Sequence, residues 1–282
     1  KIDLAGDKIT GITFGKDYDI SEILLNRPIT ITGTNSTGVY FNKDVNLEGG
    51  KAVATSTSNN VVTTLPGTTR ESILNVDITA GTGNSGLFFD AYDENNTAAN
   101  IKVLDVPNAT INLSSNDGSN AGIYAKAGTV NLKPNAKVNL TAGKDNVGIY
   151  VDNGEAKDKL GATIKVELNA GGKVNITGGT GGIGILSTGN STSGTTATNK
   201  GVVTITAKDN VGMVAANKTG TTVTGEINQE GTVLVNAKES IGVAAVGTGA
   251  IANIKNGSTT KAGDDTAAAG TASGASALFA DD

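Results

Sequence analysis

The residues able to carry chemistry in this chain are few, and they exclude most catalytic mechanisms. The 282-residue sequence contains no His and no Cys, so a Ser-His-Asp triad, a Cys-His pair and a histidine metal site are impossible. A carboxylate pair can still support glycoside hydrolysis, and Asp90, Asp93 and Glu94 lie together in one segment. The alternative for these acids is a solvated loop. The absence of Trp favours that alternative, because carbohydrate clefts usually contain aromatic platforms. We therefore predict no catalytic residues and no enzymatic activity.

Acidic and amide side chains at turns form a second candidate site. The pairs Asp145-Asn146, Asp209-Asn210 and Asp264-Asp265 recur where turns are predicted, and their oxygen atoms suit calcium. The glycine-rich nonapeptide of calcium-binding β-rolls is absent. Because Asp and Asn also form turns without a metal, we predict no metal and no cofactor.

Aromatic residues provide the best candidate binding site. The chain has 5 Tyr and 5 Phe, and most of them lie within a recurring Gly-apolar phrase. If Val147, Ile149 and Val151 face inward, alternation along the strand predicts that the residue two positions after the glycine faces outward. That position is occupied in successive copies by Tyr40, Phe88, Tyr124, Tyr150, Leu186, Val214 and Ala244. Such a stripe could bind a partner or a neighbouring segment. The alternatives are the ordinary strand preference of Tyr and Phe or a wider core at that end.

The same phrase organises the whole chain. Its clearest copy is Val147-Gly148-Ile149-Tyr150, and nine copies run from Gly11 to Ser276, at a mean spacing of about 33 residues that is typical of stacked repeats. One repeat cannot bury its own apolar face, so neighbouring repeats must stack into one continuous core.

Each repeat contains three strand signals. An alternating strand such as Lys137-Val138-Asn139-Leu140 is followed by a polar turn, the glycine phrase, a variable loop and a third strand. This order predicts an all-β, right-handed parallel β-helix with about three short strands per coil and roughly 8–9 coils. The phrase glycine is expected to adopt a positive φ or to pack closely on the next coil. Asn and Thr at equivalent positions are expected to form ladders between coils.

The chain is predicted to be one domain. Residues 1–28 are expected to form an N-terminal coil or cap, and residues 257–282 an incomplete C-terminal coil. Long variable loops are predicted at residues 51–72, 90–100, 152–161, 187–200 and 217–222.

Charge and hydropathy narrow the class of partner. The net charge of −5 argues against nucleic acid, which requires a basic surface. No apolar run reaches the roughly 18 residues of a membrane span. The sequence contains no signal peptide and begins with Lys rather than Met. A mature or recombinant piece of a longer chain is therefore expected.

One stretch resembles a known family. The segment Val-Asn-Leu-Thr-Ala-Gly-Lys-Asp-Asn-Val-Gly-Ile-Tyr at residues 138–150 resembles the passenger repeats of large bacterial autotransporter adhesins, particularly the fusobacterial type. The resemblance covers most of the chain, from about residue 29 to 256, and rests on repeat style. It implies a β-helix exported through an outer-membrane β-barrel and displayed on the cell surface for adhesion. The family's signal peptide and C-terminal barrel are absent from the sequence, as expected of an excised passenger fragment.

The resemblance also implies a partner and a location. The partner would be a protein or glycan receptor on host cells or other bacteria, bound by a monomer that the missing C-terminal domain anchors to the outer membrane. A polysaccharide-degrading β-helix enzyme or a tailspike-like depolymerase is the alternative, and it requires a carboxylate cluster on one face. A trimeric autotransporter head is a third possibility, but its coils are much shorter than these repeats.

Overall fold

A computed structural model of the chain describes most of its residues. These are residues 1–14, 19–20, 28–41, 46–47, 51–53, 56–57, 60–65, 68–72, 74–90, 103–106, 109–126, 128–152, 164–189, 194–217, 225–263 and 276–281. Within these ranges the regular structure is entirely β, in 30 strands that we number along the chain.

Three long parallel sheets contain most of the strands. The first sheet has nine strands, in spatial order β1 (Ile2–Leu4), β4 (Ile29–Ile31), β11 (Leu74–Ile78), β14 (Ala109–Leu113), β17 (Lys137–Leu140), β20 (Lys173–Ile176), β23 (Val202–Ile205), β26 (Thr232–Val235) and β29 (Thr259–Ala262). The second sheet also has nine, namely β2 (Thr10–Phe14), β5 (Thr37–Phe41), β12 (Ser85–Phe89), β15 (Ala121–Ala125), β18 (Val147–Asp152), β21 (Ile183–Gly189), β24 (Val211–Asn217), β27 (Ile241–Val246) and β30 (Ser276–Asp281).

The third sheet is shorter. Its seven strands are β7 (Lys51–Val53), β13 (Val103–Val106), β16 (Thr129–Leu132), β19 (Ile164–Leu168), β22 (Thr195–Asn199), β25 (Gly225–Gln229) and β28 (Ile251–Ile254). A separate parallel pair joins β3 (Asp19–Ile20) to β6 (Asn46–Leu47), and an antiparallel sheet joins β8 (Ser56–Thr57), β9 (Asn60–Leu65) and β10 (Thr68–Ser72).

The chain visits the first, second and third sheets in turn, and neighbours within each long sheet come from successive coils. The protein is therefore a parallel β-helix with about three strands per coil, as predicted. If the glycine phrase marks successive coils, Val39, Ile123, Ile149 and Val243 should lie in a single interior column. They do, since the paired residues of the second sheet run in one column from Ile12 to Leu278.

Alternation within each strand builds the core. In β17, Val138 and Leu140 are buried whereas Lys137 is exposed and Asn139 is half-buried. The same pattern in every coil stacks small branched side chains into continuous interior columns. The outward Asn positions form the predicted ladder, because Asn139 donates to Asn112 over 2.8 Å and Asn175 donates to Asn139 over 2.8 Å.

The phrase glycine departs from simple alternation. Val147 was expected to face inward, but it is only half-buried, while Gly148 and Ile149 are both buried. A Cβ atom on Gly148 would lie 3.2 Å from Leu140 Cδ1 and 3.2 Å from Val174 Cγ1, so the glycine faces the core. Two successive positions, Gly148 and Ile149, therefore face inward, which is possible because the first has no side chain. Gly148 itself does not have a positive φ, whereas Asp145, three positions earlier, has a φ of 56°.

Two predicted loops contain strands. Residues 187–200 include the end of β21 and all of β22, whose Thr195, Ala197 and Asn199 are buried. The Ser/Thr/Gly composition of this segment suggested a linker, but its alternating Thr residues pair in the third sheet. Residues 51–72 include β7 and the antiparallel sheet of β8, β9 and β10. Most residues of the other three predicted loops lie outside the described ranges.

The two ends of the chain contribute strands to the long sheets. Residues 1–14 supply β1 and β2, which pair with β4 and β5. Beyond residue 257, β29 pairs with β26 and β30 pairs with β27.

Candidate functional site

The predicted aromatic stripe forms a stacked column on the second sheet. Tyr40, Phe88, Tyr124 and Tyr150 are paired in register on successive strands, and each is half-buried. Neighbouring ring centroids lie 5.0, 4.9 and 4.8 Å apart along the column, with interplanar angles of 24°, 7° and 8°. These distances match the spacing between strands, so the rings stack face to face along the axis of the β-helix.

Stacking decides which part of each ring a partner can reach. Phe88 and Tyr124 each have a ring against both faces. The column therefore presents ring edges and hydroxyl groups rather than open ring faces. Sugar recognition by aromatic residues generally uses an open face, and Phe88 and Tyr124 do not provide one.

The stripe ends sooner than the sequence suggested. Leu186 continues the column and is half-buried, but Val214 and Ala244 are buried instead of exposed. Short side chains project less far from the sheet than rings, so adjacent members of the column cover them. The stacked rings are confined to β5, β12, β15 and β18, and Phe279 of β30, which is 45% exposed, is a separate ring further along the same column.

A second column of rings lies inside the core. Phe41 is buried between Phe14, at a centroid distance of 4.9 Å, and Phe89, at 5.5 Å. The repeated phrase contains both sets of rings, and the prediction from sequence did not distinguish these inward rings from the outward column. The alternation after the glycine carries that signal, because the third residue after it returns to the interior.

Charged residues flank the outward column on the same face, two positions further along each strand. The Lys126 ammonium lies 5.8 Å from the ring centroid of Phe88 and 5.4 Å from that of Tyr124, within the range of cation–π attraction. Asp152 is 4% exposed and accepts hydrogen bonds from Tyr150 over 3.1 Å and from Tyr124 over 3.5 Å. The carboxylate thus fixes the hydroxyl ends of two stacked rings.

The environment keeps these phenols protonated. Burial, followed by the negative charge of the neighbouring Asp152 carboxylate, raises the pKa of Tyr150 to about 12. Burial also raises the pKa of Tyr124, followed by the negative charge of Asp152. Both hydroxyl groups are therefore donors across the physiological pH range.

This arrangement predicts a loss of stability in alkali. The unfolded chain ionises its tyrosines near pH 10, whereas Tyr150 ionises at about 12 in the folded state. The stability from this residue is present below pH 10 and falls as the pH rises towards 12, because the unfolded state releases its proton first. Urea midpoints of the wild type and Tyr150→Phe at pH 9, 10 and 11 should show a flatter decline for the variant. Parallel curves would contradict the assignment.

The Asp-Asn turns use their amides for structure. Asn146 is buried, and its side chain accepts from the backbone N–H of Asn120 over 2.9 Å and donates to Ala142 over 2.8 Å. Asn210 likewise accepts from the N–H of Gly182 over 2.7 Å. Asp145 and Asp209 have positive φ and pair with the adjacent lysines at 3.9 and 3.3 Å. Asp264 and Asp265 lie outside the described residues.

These amides belong to a buried polar column. The position two before each phrase glycine is occupied in successive coils by Ser36, Asn84, Asn120, Asn146, Gly182, Asn210 and Ser240. The side chains of Ser36, Asn84, Asn120 and Asn146 each bond the backbone of a neighbouring coil, as when the N–H of Asn84 donates to Asn120 over 2.9 Å. The sequence carried this signal, since the polar residue recurs at one fixed position.

Only one of the candidate acids can be placed. Asp90 follows β12 beside the aromatic column, whereas Asp93 and Glu94 lie outside the described residues. In the part of the chain that the structure describes, no group of three or more Asp and Glu residues is arranged to hold a metal ion. The same part contains no helix long and apolar enough to cross a membrane.

Comparisons of the chain with protein-family models, with curated proteins and with solved structures gave no match.

Proposed function

We propose that this chain is a surface-displayed segment of a bacterial autotransporter passenger and acts as an adhesin or adhesin stalk. The support is the parallel β-helix, together with the family resemblance of the segment at residues 138–150. The observation that carries the adhesive role is an asymmetry between the outward surfaces of the three sheets.

Two of these surfaces are polar and internally paired. On the first sheet, the amide of Asn112 donates to Asp77 over 2.6 Å and continues the outward ladder. On the third sheet, Lys133 pairs with Asp105 at 3.4 Å and Lys200 pairs with Glu167 at 2.9 Å. These polar groups already have partners on their own surface, so they offer little to another protein.

The outward surface of the second sheet is different. Besides the aromatic column it carries a parallel row of half-buried apolar side chains, namely Val147, Ile183, Val211 and Ile241. We call the combined surface of this row and the aromatic column the aromatic face. An exposed apolar surface with a polar margin is typical of a protein-binding site. Asp90 and Lys126 supply this margin, whereas Asp152 is buried and bonds Tyr124 and Tyr150.

The stacked rings favour a protein partner over a glycan. A protein surface can pack on ring edges and donate hydrogen bonds to the hydroxyl oxygens of Tyr124 and Tyr150, whose protons are already donated to Asp152. A sugar would instead need an open ring face, and the two middle rings have both faces covered.

Binding of the labelled protein to bacterial and host cells tests the proposal. Replacing Phe88 and Tyr124 together by Thr keeps strand preference and removes the central rings, so we expect binding to fall about tenfold, as for loss of a hot spot. The matched control replaces Asn139 and Asn175 by Thr on the first sheet and should bind as the wild type does. Circular dichroism verifies the fold of each variant.

The antiparallel sheet of β8, β9 and β10 is the other region that could make contacts. Elsewhere the chain passes from the third sheet to the first in two to four residues. Replacing residues 54–73 by the four-residue turn of residues 133–136 should therefore leave the coils intact. If this variant loses binding and the aromatic-face variant keeps it, the antiparallel sheet rather than the aromatic face makes the contact. If neither loses binding, the segment is a spacer.

A further inference from the structure

Two tyrosine rings in the outward column lie directly against each other. The ring centroids of Tyr124 and Tyr150 are 4.8 Å apart, and the ring planes differ by only 8°. The two residues are paired in register on β15 and β18, so the rings belong to successive coils. Among the tyrosines that the structure describes, this is the one stacked pair, because Tyr40 stacks on Phe88 instead.

Both phenols share one proton acceptor. The carboxylate of Asp152 accepts from Tyr150 over 3.1 Å and from Tyr124 over 3.5 Å, and it is 4% exposed. A phenol that loses an electron becomes a strong acid, so its oxidation is easiest where a base takes the proton at the same time. A carboxylate already within hydrogen-bond reach of the hydroxyl is such a base.

We infer that Tyr124 and Tyr150 form an oxidative cross-linking site, at which a peroxide couples the two rings into dityrosine. The inference concerns the chemistry of the rings themselves and is independent of the proposed adhesive function. The substrate of the site is a small oxidant, and both rings are half-buried rather than enclosed. The reaction therefore does not require a protein to dock on the aromatic face.

The atoms and electrons of this reaction balance. Each phenol gives up one electron and one proton, with Asp152 as the first proton acceptor and water as the second. The two radicals then form a bond between the ring carbons that neighbour the hydroxyl-bearing carbons. The hydrogen displaced from each of these carbons returns to a phenol oxygen, so both hydroxyl groups are restored. Hydrogen peroxide takes up the electrons and protons and is reduced to water.

The β-helix supplies the proximity that the coupling needs. Strand pairing holds the two side chains about 4.8 Å apart, so the reaction between them is intramolecular and has a high effective concentration. The centres of two directly bonded phenol rings lie slightly closer than this spacing. The rings must therefore turn from face to face to edge to edge, whereas the strands can keep their places. The new bond would join β15 to β18 and prevent these coils from separating.

Photo-oxidation of the dilute 282-residue protein tests the inference, with a ruthenium tris-bipyridine complex and persulfate, itself a peroxide, as the oxidant. We expect dityrosine fluorescence in the monomer fraction. Trypsin cleaves after Lys126 and Lys144, which places the two tyrosines in different peptides. Mass spectrometry should find these peptides joined, with a mass lower than their sum by two hydrogen atoms. Absence of this link, or cross-linking mainly between other tyrosines or between different molecules, would overturn the inference.

Three variants test the role of each group. Tyr150→Phe keeps a stacked ring and should abolish the link, whereas Tyr40→Phe, the matched control in the same column, should leave its yield unchanged. Asp152→Asn keeps a side chain of similar size but removes the base, so the initial rate of cross-linking should fall about tenfold. An unchanged rate in Asp152→Asn would show that the carboxylate does not take the proton. Circular dichroism verifies the fold of each variant before oxidation.

Discussion

Replacing Gly148 with alanine is expected to lower the free energy of unfolding by about 1–3 kcal/mol, the usual cost of overpacking a core. In most strands alanine would be the better residue, because glycine has the larger conformational entropy to lose. A destabilising effect here would therefore identify a steric requirement rather than a propensity.

The steric requirement comes from the next coil. A Cβ atom on Gly148 would lie 2.6 Å from the carbonyl oxygen of Gly184, a backbone atom that cannot move without shifting its own strand. The contact repeats along the helix, since a Cβ atom on Gly122 would lie 2.6 Å from the carbonyl oxygen of Gly148. The recurring glycine thus allows successive coils to approach at the corner where the second sheet begins.

Gly6→Ala is the matched control. The nearest atoms to a Cβ at that position belong to the Ile9 side chain, which is exposed and can rotate away. Urea denaturation followed by circular dichroism should give a much smaller change for Gly6→Ala than for Gly148→Ala. Equal changes would show that the carbonyl contact does not limit the approach of the coils.

The coil itself could be predicted because it depends on the recurrence of one phrase. The glycine phrase recurs after a polar turn even though the interval between copies varies from 26 to 48 residues. This recurrence assigns Ile123 and Ile149 to equivalent places, and the structure pairs them. Alternation did not predict that Val147 faces outward. The pattern was based on apolar side chains, and the inward position beside Val147 is a glycine, which has none.

The strand β22 was missed for a related reason. Thr and Ala fill its inward positions, so its composition resembles a linker.

The candidate site was only partly predictable. Alternation gave the column from Tyr40 to Tyr150, but it did not reveal that the rings cover one another. That consequence follows from the strand spacing of about 4.8 Å, which leaves no room between rings on adjacent coils. The role of Asp152 depends on the conformation at the end of β18, where its carboxylate meets Tyr124 and Tyr150. No sequence pattern encodes that contact.

Replacing Asn120 with alanine is expected to destabilise the protein more than any outward substitution, by about 3–5 kcal/mol. Asn120 is 2% exposed. Its side chain accepts from the N–H of Asn84 over 2.9 Å and donates to the carbonyl groups of Gly81 over 3.0 Å and Gly118 over 2.8 Å. Each buried group left without a partner costs about 1–3 kcal/mol. Alanine would remove the side-chain partner of the Asn84 N–H and of the Gly118 carbonyl, whereas the Gly81 carbonyl would keep the hydroxyl of Ser115.

Two comparison variants separate this role from a general cost of losing an amide. Asn120→Ser should retain much of the stability, because Ser240 occupies the same column, accepts from the N–H of Asn210 over 3.2 Å and donates to Lys238 over 3.1 Å. Asn175→Ala removes a half-buried amide from the outward ladder and should cost only about 0.5–1.5 kcal/mol. Equilibrium unfolding in urea measures all three variants. If Asn120→Ala costs no more than Asn175→Ala, the buried column does not hold the turns together, and packing of the apolar columns alone must maintain the register between coils.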